Sequence, residues 1–376
     1  MNDGRKPEWA DGNASFASSI KKGLEMTTTT NQMTASNRFV KKNQIEDHLQ
    51  FEKLAVGVLE GSRTHLGKAI TLVESNSVKH FDMAQNLLQH LMPHTGKSIR
   101  IGISGVPGAG KSTFIEAFGM FLCSQGYKVA VLAVDPSSSV TGGSILGDKT
   151  RMEELAKNQS AFIRPSPSEG TLGGVHRKTR ETMMLCEAAG YDIILIETVG
   201  VGQSEAIVRG MVDYFLLLAL TGAGDELQGM KKGIMELVDG VVINKADGSN
   251  KPLAMKTKEE FNRILHFLQP ATKGWQTEAY TCSSKTGEGI QELWDIILQF
   301  VEKTKKIGVF QERRRLQVKE WMQTLLKEHL NKIFFHNPSV KNSLPKLENE
   351  VMSGTKTVSV AVLEAFDLFL ESMKDK

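Results

Sequence analysis

The sequence predicts an α/β protein, in which a mostly parallel sheet is flanked by helices, preceded by a helical region and followed by a helical extension. Between residues 96 and 304, short apolar runs of strand length alternate with stretches of helical period. Several runs are apolar at consecutive positions, so both faces of those strands must be buried, as in a parallel sheet covered by helices. On either side of this zone, apolar residues recur at helical spacing. The apolar runs are Ile99–Ser104, Val129–Val134, Ala161–Arg164, Ile193–Ile196, Tyr214–Leu220, Val241–Ile243 and Ala279–Cys282.

These patterns divide the chain into four segments. Residues 1–38 are polar and are predicted to form a disordered tail. An N-terminal helical region is predicted over 39–95, the sheet domain over 96–304 and a C-terminal helical arm over 305–376. In the arm, Pro338 and Pro345 are expected to bracket a break, and a final helix is predicted near Val358–Met373. One apolar stripe of the arm, expected to pack on the sheet domain or to pair with another chain, comprises Val318, Trp321, Met322, Leu325, Leu326, Leu330 and Ile333.

Composition and charge exclude several classes of protein. A net charge of +3 is too small to indicate a nucleic-acid or membrane-surface partner. The three cysteines lie far apart and form no CxxC pair, which excludes a disulfide framework or a zinc ribbon. No apolar stretch reaches the length of a membrane span. The run Arg313-Arg314-Arg315 is basic, but flanking glutamates favour a solvated helix face.

The N-terminal residues bear on the cellular compartment in which the protein is found. Asp3, Glu8 and Asp11 argue against an organelle transit peptide that starts at Met1. If translation began at Met26, the acid-free stretch that follows would look more like one. We therefore expect a cytoplasmic protein, with the mitochondrial matrix as the alternative for a eukaryotic chain.

One run matches the phosphate-binding pattern G-x-x-x-x-G-K-[ST] at every fixed position. An apolar strand leads into it and a predicted helix, Thr113–Leu122, follows, which is the context that this motif requires. Backbone N–H groups of such a loop surround phosphates at the N-terminus of the helix. Lys111 is expected to reach the β- and γ-phosphates, and the Ser112 hydroxyl to bind Mg²⁺. The predicted phosphate site comprises Gly105, Val106, Pro107, Gly108, Ala109, Gly110, Lys111, Ser112 and Thr113.

A second motif selects the base. Asn244-Lys245-Ala246-Asp247 follows the buried strand Val241–Ile243. The carboxylate of Asp247 can accept two hydrogen bonds from guanine, whereas adenine has no matching pair of donors. Ser283-Ser284-Lys285 follows a later strand, where GTPases place a loop that contacts the guanine oxygen. The sequence thus predicts GTP and GDP as the bound nucleotides.

Two acidic strand ends complete the predicted metal site. The strand Val129–Val134 runs into Asp135, and the strand Ile193–Ile196 runs into Glu197. A carboxylate at the second position normally holds Mg²⁺, and the N–H of Gly200 is expected to contact the γ-phosphate. Many GTPases carry a water-orienting Gln directly after this glycine, but here the residue is Val201. We therefore expect slow hydrolysis without a partner.

Three longer stretches go beyond a generic GTPase. They are Asp135–Ser138 with Thr141–Met152, Gly170–Val175, and Glu197–Glu205. Together they closely resemble the methylmalonyl-CoA mutase-associated GTPases of the MeaB/ArgK type. The likeness runs from Leu59-Glu60-Gly61 through Asp247 and, more loosely, into the C-terminal helices. Glu169 departs from it, since relatives often carry a basic residue there.

The resemblance implies a chaperone for an adenosylcobalamin-dependent acyl-CoA mutase, with GTP binding and hydrolysis as the switch. It implies three switch loops, Asp135–Asp148, Glu197–Gln203 and Thr221–Lys231, with Asp148 as a further catalytic and metal-binding carboxylate. It also implies a C-terminal dimerisation arm, and so a homodimer. Both Gly142-Gly143 and the acidic residues of these loops suit segments that become ordered around Mg²⁺ and phosphate.

Other functions remain open at this point. One is a nucleotide-dependent kinase associated with amino-acid transport, although no amino-acid site or acceptor domain is evident. Another is a nucleotide-binding scaffold with negligible hydrolysis, which the missing Gln favours. A metal-insertion GTPase would need Cys or His clusters, and the nine histidines are scattered.

Overall fold

The structure, a computed structural model, describes residues 50–134, 152–166, 172–198, 204–221 and 232–374. Within these ranges seven strands form one sheet, and every neighbouring pair of strands is parallel. The predicted α/β fold with a parallel sheet is thereby confirmed. The strands are β1 (Ile99–Gly105), β2 (Val129–Val134), β3 (Ala161–Ser166), β4 (Ile193–Thr198), β5 (Tyr214–Ala219), β6 (Gly240–Ile243) and β7 (Ala279–Thr281). Their order across the sheet is β3-β2-β4-β1-β5-β6-β7.

Helices precede, cover and follow this sheet. From Phe51 onward, the described residues form one compact unit. Among them, no helix combines the length and the apolar character needed to cross a membrane. The helices are α1 (residues 50–59), α2 (Arg63–Glu74), α3 (Val78–Leu91), α4 (Lys111–Ser124), α5 (Glu153–Lys157), α6 (Leu172–Ala188), α7 (Ser204–Arg209), α8 (Lys232–Met235), α9 (Lys251–Phe267), α10 (Ile290–Lys306), α11 (Val309–Phe335), α12 (Pro338–Met352) and α13 (Val358–Lys374).

Two apolar cores lie on opposite faces of the sheet. Successive residues of β5 alternate between them, because side chains of a strand point to opposite faces. Phe215 and Leu217 belong to the core that also contains residues of α1, α2, α3 and α6. Leu216 and Leu218 belong to the core formed with α4 and α10. The sheet is thus buried on both faces, which explains why its strands are apolar at consecutive positions.

The basic run of α11 is not a solvated face, which corrects the sequence-based prediction. Arg314 forms a bidentate ion pair with Asp213, at 2.7 Å from Nε to Oδ1 and 2.6 Å from Nη2 to Oδ2. It also donates to the carbonyl oxygens of Gly96 and Ser98, each at 2.6 Å. The prediction considered only the flanking glutamates. The actual partners of Arg314 lie far away in the sequence, so no local pattern indicates them. Of the three arginines, only Arg315 is exposed.

Asp213 and Asp239 directly precede β5 and β6, so both lie at the amino edge of the sheet. Arg313 pairs with Asp239, with 3.5 Å between Nη1 and Oδ2, and contacts Thr272. Arg209 lies 3.4 Å from the other oxygen of Asp239. Both carboxylates are fully buried and are compensated by these guanidinium groups. We call this group the amino-edge cluster; it comprises Arg209, Asp213, Asp239, Thr272, Arg313 and Arg314.

The end of the arm differs from the prediction in one respect. Pro338 and Pro345 were expected to bracket a break, but Pro338 begins α12 and Pro345 lies inside it. The first position of a helix accepts proline because no intrahelical N–H bond is lost there. Pro345 removes one backbone hydrogen bond, but the helix continues past it, and Leu347 packs against α13. The predicted final helix is confirmed as α13.

Candidate nucleotide-binding site

The phosphate loop connects β1 to α4, as its pattern predicts. Two of its glycines lie in close contact with neighbouring residues. A Cβ atom on Gly105 would lie 2.4 Å from the carbonyl oxygen of Leu218, and one on Gly110 would lie 3.0 Å from Nδ2 of Asn244. Gly110 also has a φ of 82° at the N-terminus of α4, a conformation that favours glycine. The backbone contact at Gly105 and the left-handed conformation of Gly110 therefore favour glycine at these positions.

Lys111 is the first residue of α4, and its ammonium group lies against the loop. Nζ donates to the carbonyl oxygens of Gly105 at 2.8 Å and Val106 at 3.3 Å. Burial lowers the pKa of Lys111, while the nearby carboxylates of Glu197 and Glu205 act in the opposite direction. The cation is thus held at the phosphate loop by neutral carbonyl groups, and a phosphate can replace those weaker partners.

Ser112 and Glu197 meet beside the loop, as predicted for the metal site. The Ser112 hydroxyl donates to Oε1 of Glu197 at 3.1 Å, and Glu197 is only 6% exposed. The next residue of β4, Thr198, donates to Ser104 of β1 at 2.9 Å and so fixes the two strand ends together. Hydroxyl and carboxylate oxygens are the ligands that Mg²⁺ prefers, so this pair fits the metal. Thr113 is exposed on the same turn of α4.

The guanine loop, defined as Asn244–Asp247, contacts the phosphate loop directly. Asn244 donates to the carbonyl oxygen of Ala109 at 2.9 Å, and Lys245 donates to that of Gly108 at 3.1 Å. The two predicted motifs, which lie far apart in the sequence, therefore form one site. Pro107 is exposed at the tip of the phosphate loop.

The third predicted loop contacts the carboxylate of Asp247, which is predicted to select the base. The Ser283 hydroxyl donates to Oδ2 of Asp247 at 2.6 Å. Ser284 donates to Oδ1 of Asn244 through its hydroxyl at 2.9 Å and through its backbone N–H at 3.3 Å. These bonds orient Asp247 and Asn244 before any base binds. Lys285 follows as an exposed residue.

Some predicted site residues lie outside the described residues. They include three members of the catalytic and metal-binding set, as well as Glu169 and most of each predicted switch loop. The predicted switch loops adjoin described strands: Asp135–Asp148 comes directly after β2, Glu197–Gln203 begins within β4, and Thr221–Lys231 begins two residues after β5. The three members are Asp135, Asp148 and Gly200.

Two further residues were not singled out from the sequence. Glu205, in the first turn of α7, is 3% exposed and acts electrostatically on Lys111. Its membership of the Glu197–Glu205 stretch was the only available signal. Asn250 bonds both to the guanine loop and to Thr221, and no motif marks it.

Comparison with known proteins agrees with this geometry. The family model described as "Methylmalonyl Co-A mutase-associated GTPase MeaB" matches residues 66–339. A protein of Caulobacter vibrioides named "Putative GTPase" is 50% identical over 323 residues, covering 85% of this chain and 99% of that protein. A Mus musculus protein named "Methylmalonic aciduria type A homolog, mitochondrial" is 45% identical over 335 residues, covering 86% of this chain and 80% of that protein.

A solved structure supports the same conclusion. The crystal structure of a protein named "LAO/AO transport system kinase" is 37% identical, with a TM-score of 0.71 over 86% of this chain and 98% of that one. The family match covers well over half of the chain and includes the phosphate loop and the guanine loop. With its assembled phosphate and guanine loops, the chain belongs to the MeaB family of methylmalonyl-CoA mutase-associated P-loop GTPases.

Proposed function

We propose that this GTPase is a chaperone for an adenosylcobalamin-dependent acyl-CoA mutase of the methylmalonyl-CoA mutase type. In this role, GTP binding and hydrolysis gate the loading of the cofactor and the protection or reactivation of the mutase. The observation that carries the proposal is the family match over residues 66–339, whose description names the mutase. The name of the mouse relative, which refers to methylmalonic aciduria, supports the same class of partner.

The layout of the site suits a switch. The phosphate loop, the guanine loop and Glu197 lie at the carboxyl edge of the sheet, where β2, β4 and β5 lead into the three predicted switch segments. Of these strands, β4 and β5 flank β1, which leads into the phosphate loop, and β2 pairs with β4. A change of nucleotide can therefore alter all three segments and, through them, the affinity for a partner.

For hydrolysis, we assign each group a role from its position. Lys111 binds the β- and γ-phosphates, and Asp247 binds the guanine edge. Ser112 and Glu197 would hold Mg²⁺, which neutralises charge that develops on the phosphate oxygens. Asp135 and Asp148 are proposed as further carboxylates of this metal site, and Gly200 as a donor to the γ-phosphate.

Slow turnover is part of this proposal. Val201 stands where many GTPases place the Gln that orients the attacking water. A bound mutase would complete the site by ordering the switch segments. GTP hydrolysis would then be slow in the isolated GTPase and faster in its complex with the mutase.

We also propose a homodimer that forms through the C-terminal arm. The stripe of α11 is exposed at Val318, Met322, Leu326 and Leu330, to between 54% and 64%. Trp321 and Leu325 are partly buried. Monomeric proteins rarely expose apolar patches of this extent, and a second copy of the arm offers a matching surface. Helix α13 adds the exposed side chains of Val362, Leu363, Phe366 and Leu370.

Two rival functions stay as alternatives. The name of the solved relative refers to a transport system kinase, but no acceptor site is evident in this sequence. A nucleotide-binding scaffold with negligible hydrolysis would differ from a slow enzyme in a single-turnover assay. For location, we keep the cytoplasm as the proposal, with the mitochondrial matrix as the alternative that the mouse relative's name suggests.

The decisive experiment measures GTP turnover with and without a purified adenosylcobalamin-dependent mutase from the same organism. We expect the mutase to raise the turnover and to change the affinity for GTP relative to GDP, because the coupling is reciprocal. Asp225→Ala and Lys231→Ala should reduce the stimulation while basal turnover persists. Lys273→Ala, at an exposed lysine between α9 and β7, is the control. If the mutase changes neither rate nor affinity, the chaperone proposal fails and the GTPase assignment stands.

A further inference from the structure

Asn244 links the guanine loop to two neighbouring loops. Its amide nitrogen Nδ2 donates to the carbonyl oxygen of Ala109, in the phosphate loop, at 2.9 Å. A carbonyl oxygen only accepts hydrogen bonds, so this contact assigns the orientation of the amide group. The amide oxygen Oδ1 is therefore directed to the loop that follows β7. Asn244 is only 1% exposed, so these bonds are formed inside the protein.

Three donors converge on Oδ1 of Asn244. The hydroxyl oxygen of Ser284 lies at 2.9 Å, the backbone nitrogen of Ser284 at 3.3 Å and Sγ of Cys282 at 3.6 Å. A carbonyl oxygen has two lone pairs, so it cannot bond strongly to all three donors. The hydroxyl is the best placed of them, because the N–H contact is long and a thiol is a weak donor. The N–H of Ser284 can therefore leave Asn244 at little cost.

Neighbouring backbone donors of the same loop are needed to close its turn. The N–H of Ser283 donates to the carbonyl oxygen of Glu288 at 2.9 Å. The N–H of Thr286 donates to the Ser283 hydroxyl at 3.1 Å, and that of Gly287 to the Ser283 carbonyl oxygen at 2.9 Å. Breaking any of these bonds would open the turn, whereas the N–H of Ser284 has no part in closing it.

Ser284 also lies beside the carboxylate that is predicted to select the base. The preceding residue, Ser283, donates its hydroxyl to Oδ2 of Asp247 at 2.6 Å. In guanine, the N1–H and 2-amino groups that Asp247 is predicted to bind share one edge of the ring with the 6-oxygen, which is an acceptor. Adenine carries an amino group, a donor, at the same ring position. A backbone N–H released beside Asp247 is therefore suited to guanine and not to adenine.

We propose that the Ser284 hydroxyl is a positioning and specificity-determining group of the guanine site. It carries the bond to Asn244, so the N–H of Ser284 can donate to the 6-oxygen of guanine without releasing Asn244 from the phosphate loop. A 6-amino purine would leave that N–H without an acceptor. The inference deepens the predicted guanine site and does not depend on the proposed mutase partner.

The test compares GDP with 6-thio-GDP, in which sulfur replaces the 6-oxygen. Both nucleotides keep the donors for Asp247, but sulfur is the weaker acceptor. Ser284→Ala removes the hydroxyl and Ser284→Thr retains it, while Ser249→Ala, at an exposed serine beside the guanine loop, is the matched control. The dissociation constants of both nucleotides are measured for each full-length protein, and thermal unfolding verifies that each variant is folded.

We expect the wild type to bind GDP more tightly than 6-thio-GDP. Ser284→Ala should weaken GDP binding by about three- to tenfold, the effect of losing one hydrogen bond, because Asn244 then needs the N–H that would bind the base. Binding of 6-thio-GDP should weaken much less, so the preference for GDP should decrease. Ser284→Thr and the control should match the wild type.

Three results would refute the role of the hydroxyl. One is an unchanged GDP affinity in Ser284→Ala. Another is an equal loss of affinity for both nucleotides, which a purely structural role of the loop predicts. The third is a Ser284→Thr variant that behaves like Ser284→Ala. Since Asp247→Asn tests the guanine site itself, failure of that site can be distinguished from failure of this inference.

Discussion

The two edges of the sheet are both rich in charged and polar groups, but they are built differently. At the carboxyl edge, Lys111 and Lys245 donate to backbone carbonyl oxygens of the phosphate loop. At the amino edge, Arg313 and Arg314 pair with the fully buried carboxylates of the amino-edge cluster. A cation held by neutral carbonyls can be captured by a phosphate, whereas one held by a buried carboxylate is already neutralised. The first edge is arranged for a ligand and the second for stability.

Removing the phosphate-binding cation should produce the largest change. Lys111→Ala is expected to abolish measurable GTP hydrolysis, because its ammonium group is the one we assign to the β- and γ-phosphates. The folded state should persist, since the lost bonds are to two backbone carbonyls of the loop. Turnover and thermal unfolding are measured together, with Lys256→Ala on the exposed face of α9 as the control. Turnover of the variant near the wild-type rate would show that Lys111 does not bind the phosphates.

The matching change at the amino edge should affect stability instead. Asp213→Asn keeps the shape but removes the charge that Arg314 binds in a bidentate pair. Breaking one side of a buried ion pair costs about 3–5 kcal/mol, so the free energy of unfolding in urea should fall by that amount. GTP affinity of the folded protein should change little. Arg315→Ala, on the same helix but exposed, is the control.

A small decrease in the free energy of unfolding of Asp213→Asn would also be informative. Exposed ion pairs contribute about 0–1 kcal/mol, so a loss in that range would mean that water reaches the cluster. The double variant Asp213→Asn with Arg314→Met completes the cycle. If the two losses simply add, the pair does not act as a unit.

Base selection is the next largest effect at the carboxyl edge. Asp247→Asn should weaken GTP binding by about a hundredfold or more, since hydrogen bonds to a charged group contribute about 1.5–3 kcal/mol each. The amide should accept xanthine nucleotides instead, because its donor matches the additional oxygen of that base. Affinities for both nucleotides are compared, with Ser249→Ala, at an exposed residue two positions after Asp247, as the control. Unchanged GTP affinity would exclude Asp247 from base recognition.

The same comparison explains what the sequence could predict. The phosphate loop, the guanine loop and Glu197 each follow a buried strand and carry a local pattern of residues, so both their chemistry and their place at one edge could be inferred. The pairing of Arg314 with Asp213 joins residues 101 positions apart and has no such pattern. Neighbouring glutamates were the only local signal near Arg314, and they pointed to solvent. The hydrogen bonds of Asn250 to Lys245 and Thr221 likewise have no local pattern that would predict them.

The smallest expected effect is a difference in thiol labelling between the carboxyl edge of the sheet and the apolar core. Cys282 lies at the carboxyl edge, with Sγ at 3.6 Å from Oδ1 of Asn244, and burial raises its pKa to about 12. Cys186 is buried in the core beneath α2 and α3, and burial raises its pKa as well. Both thiols therefore stay protonated at neutral pH and react only when the structure opens.

Local opening should distinguish the two thiols. Residues next to Cys282 would be held by a bound guanine nucleotide, because Ser283 and Ser284 bond to Asp247 and Asn244. We expect GDP to slow maleimide labelling of Cys282 by several-fold more than labelling of Cys186, as followed by peptide mass spectrometry. Cys123 is only partly buried and serves as the more accessible reference thiol, although burial raises its pKa too. Equal protection of Cys282 and Cys186 would mean that both react through global unfolding, so that the carboxyl edge opens no more readily than the core.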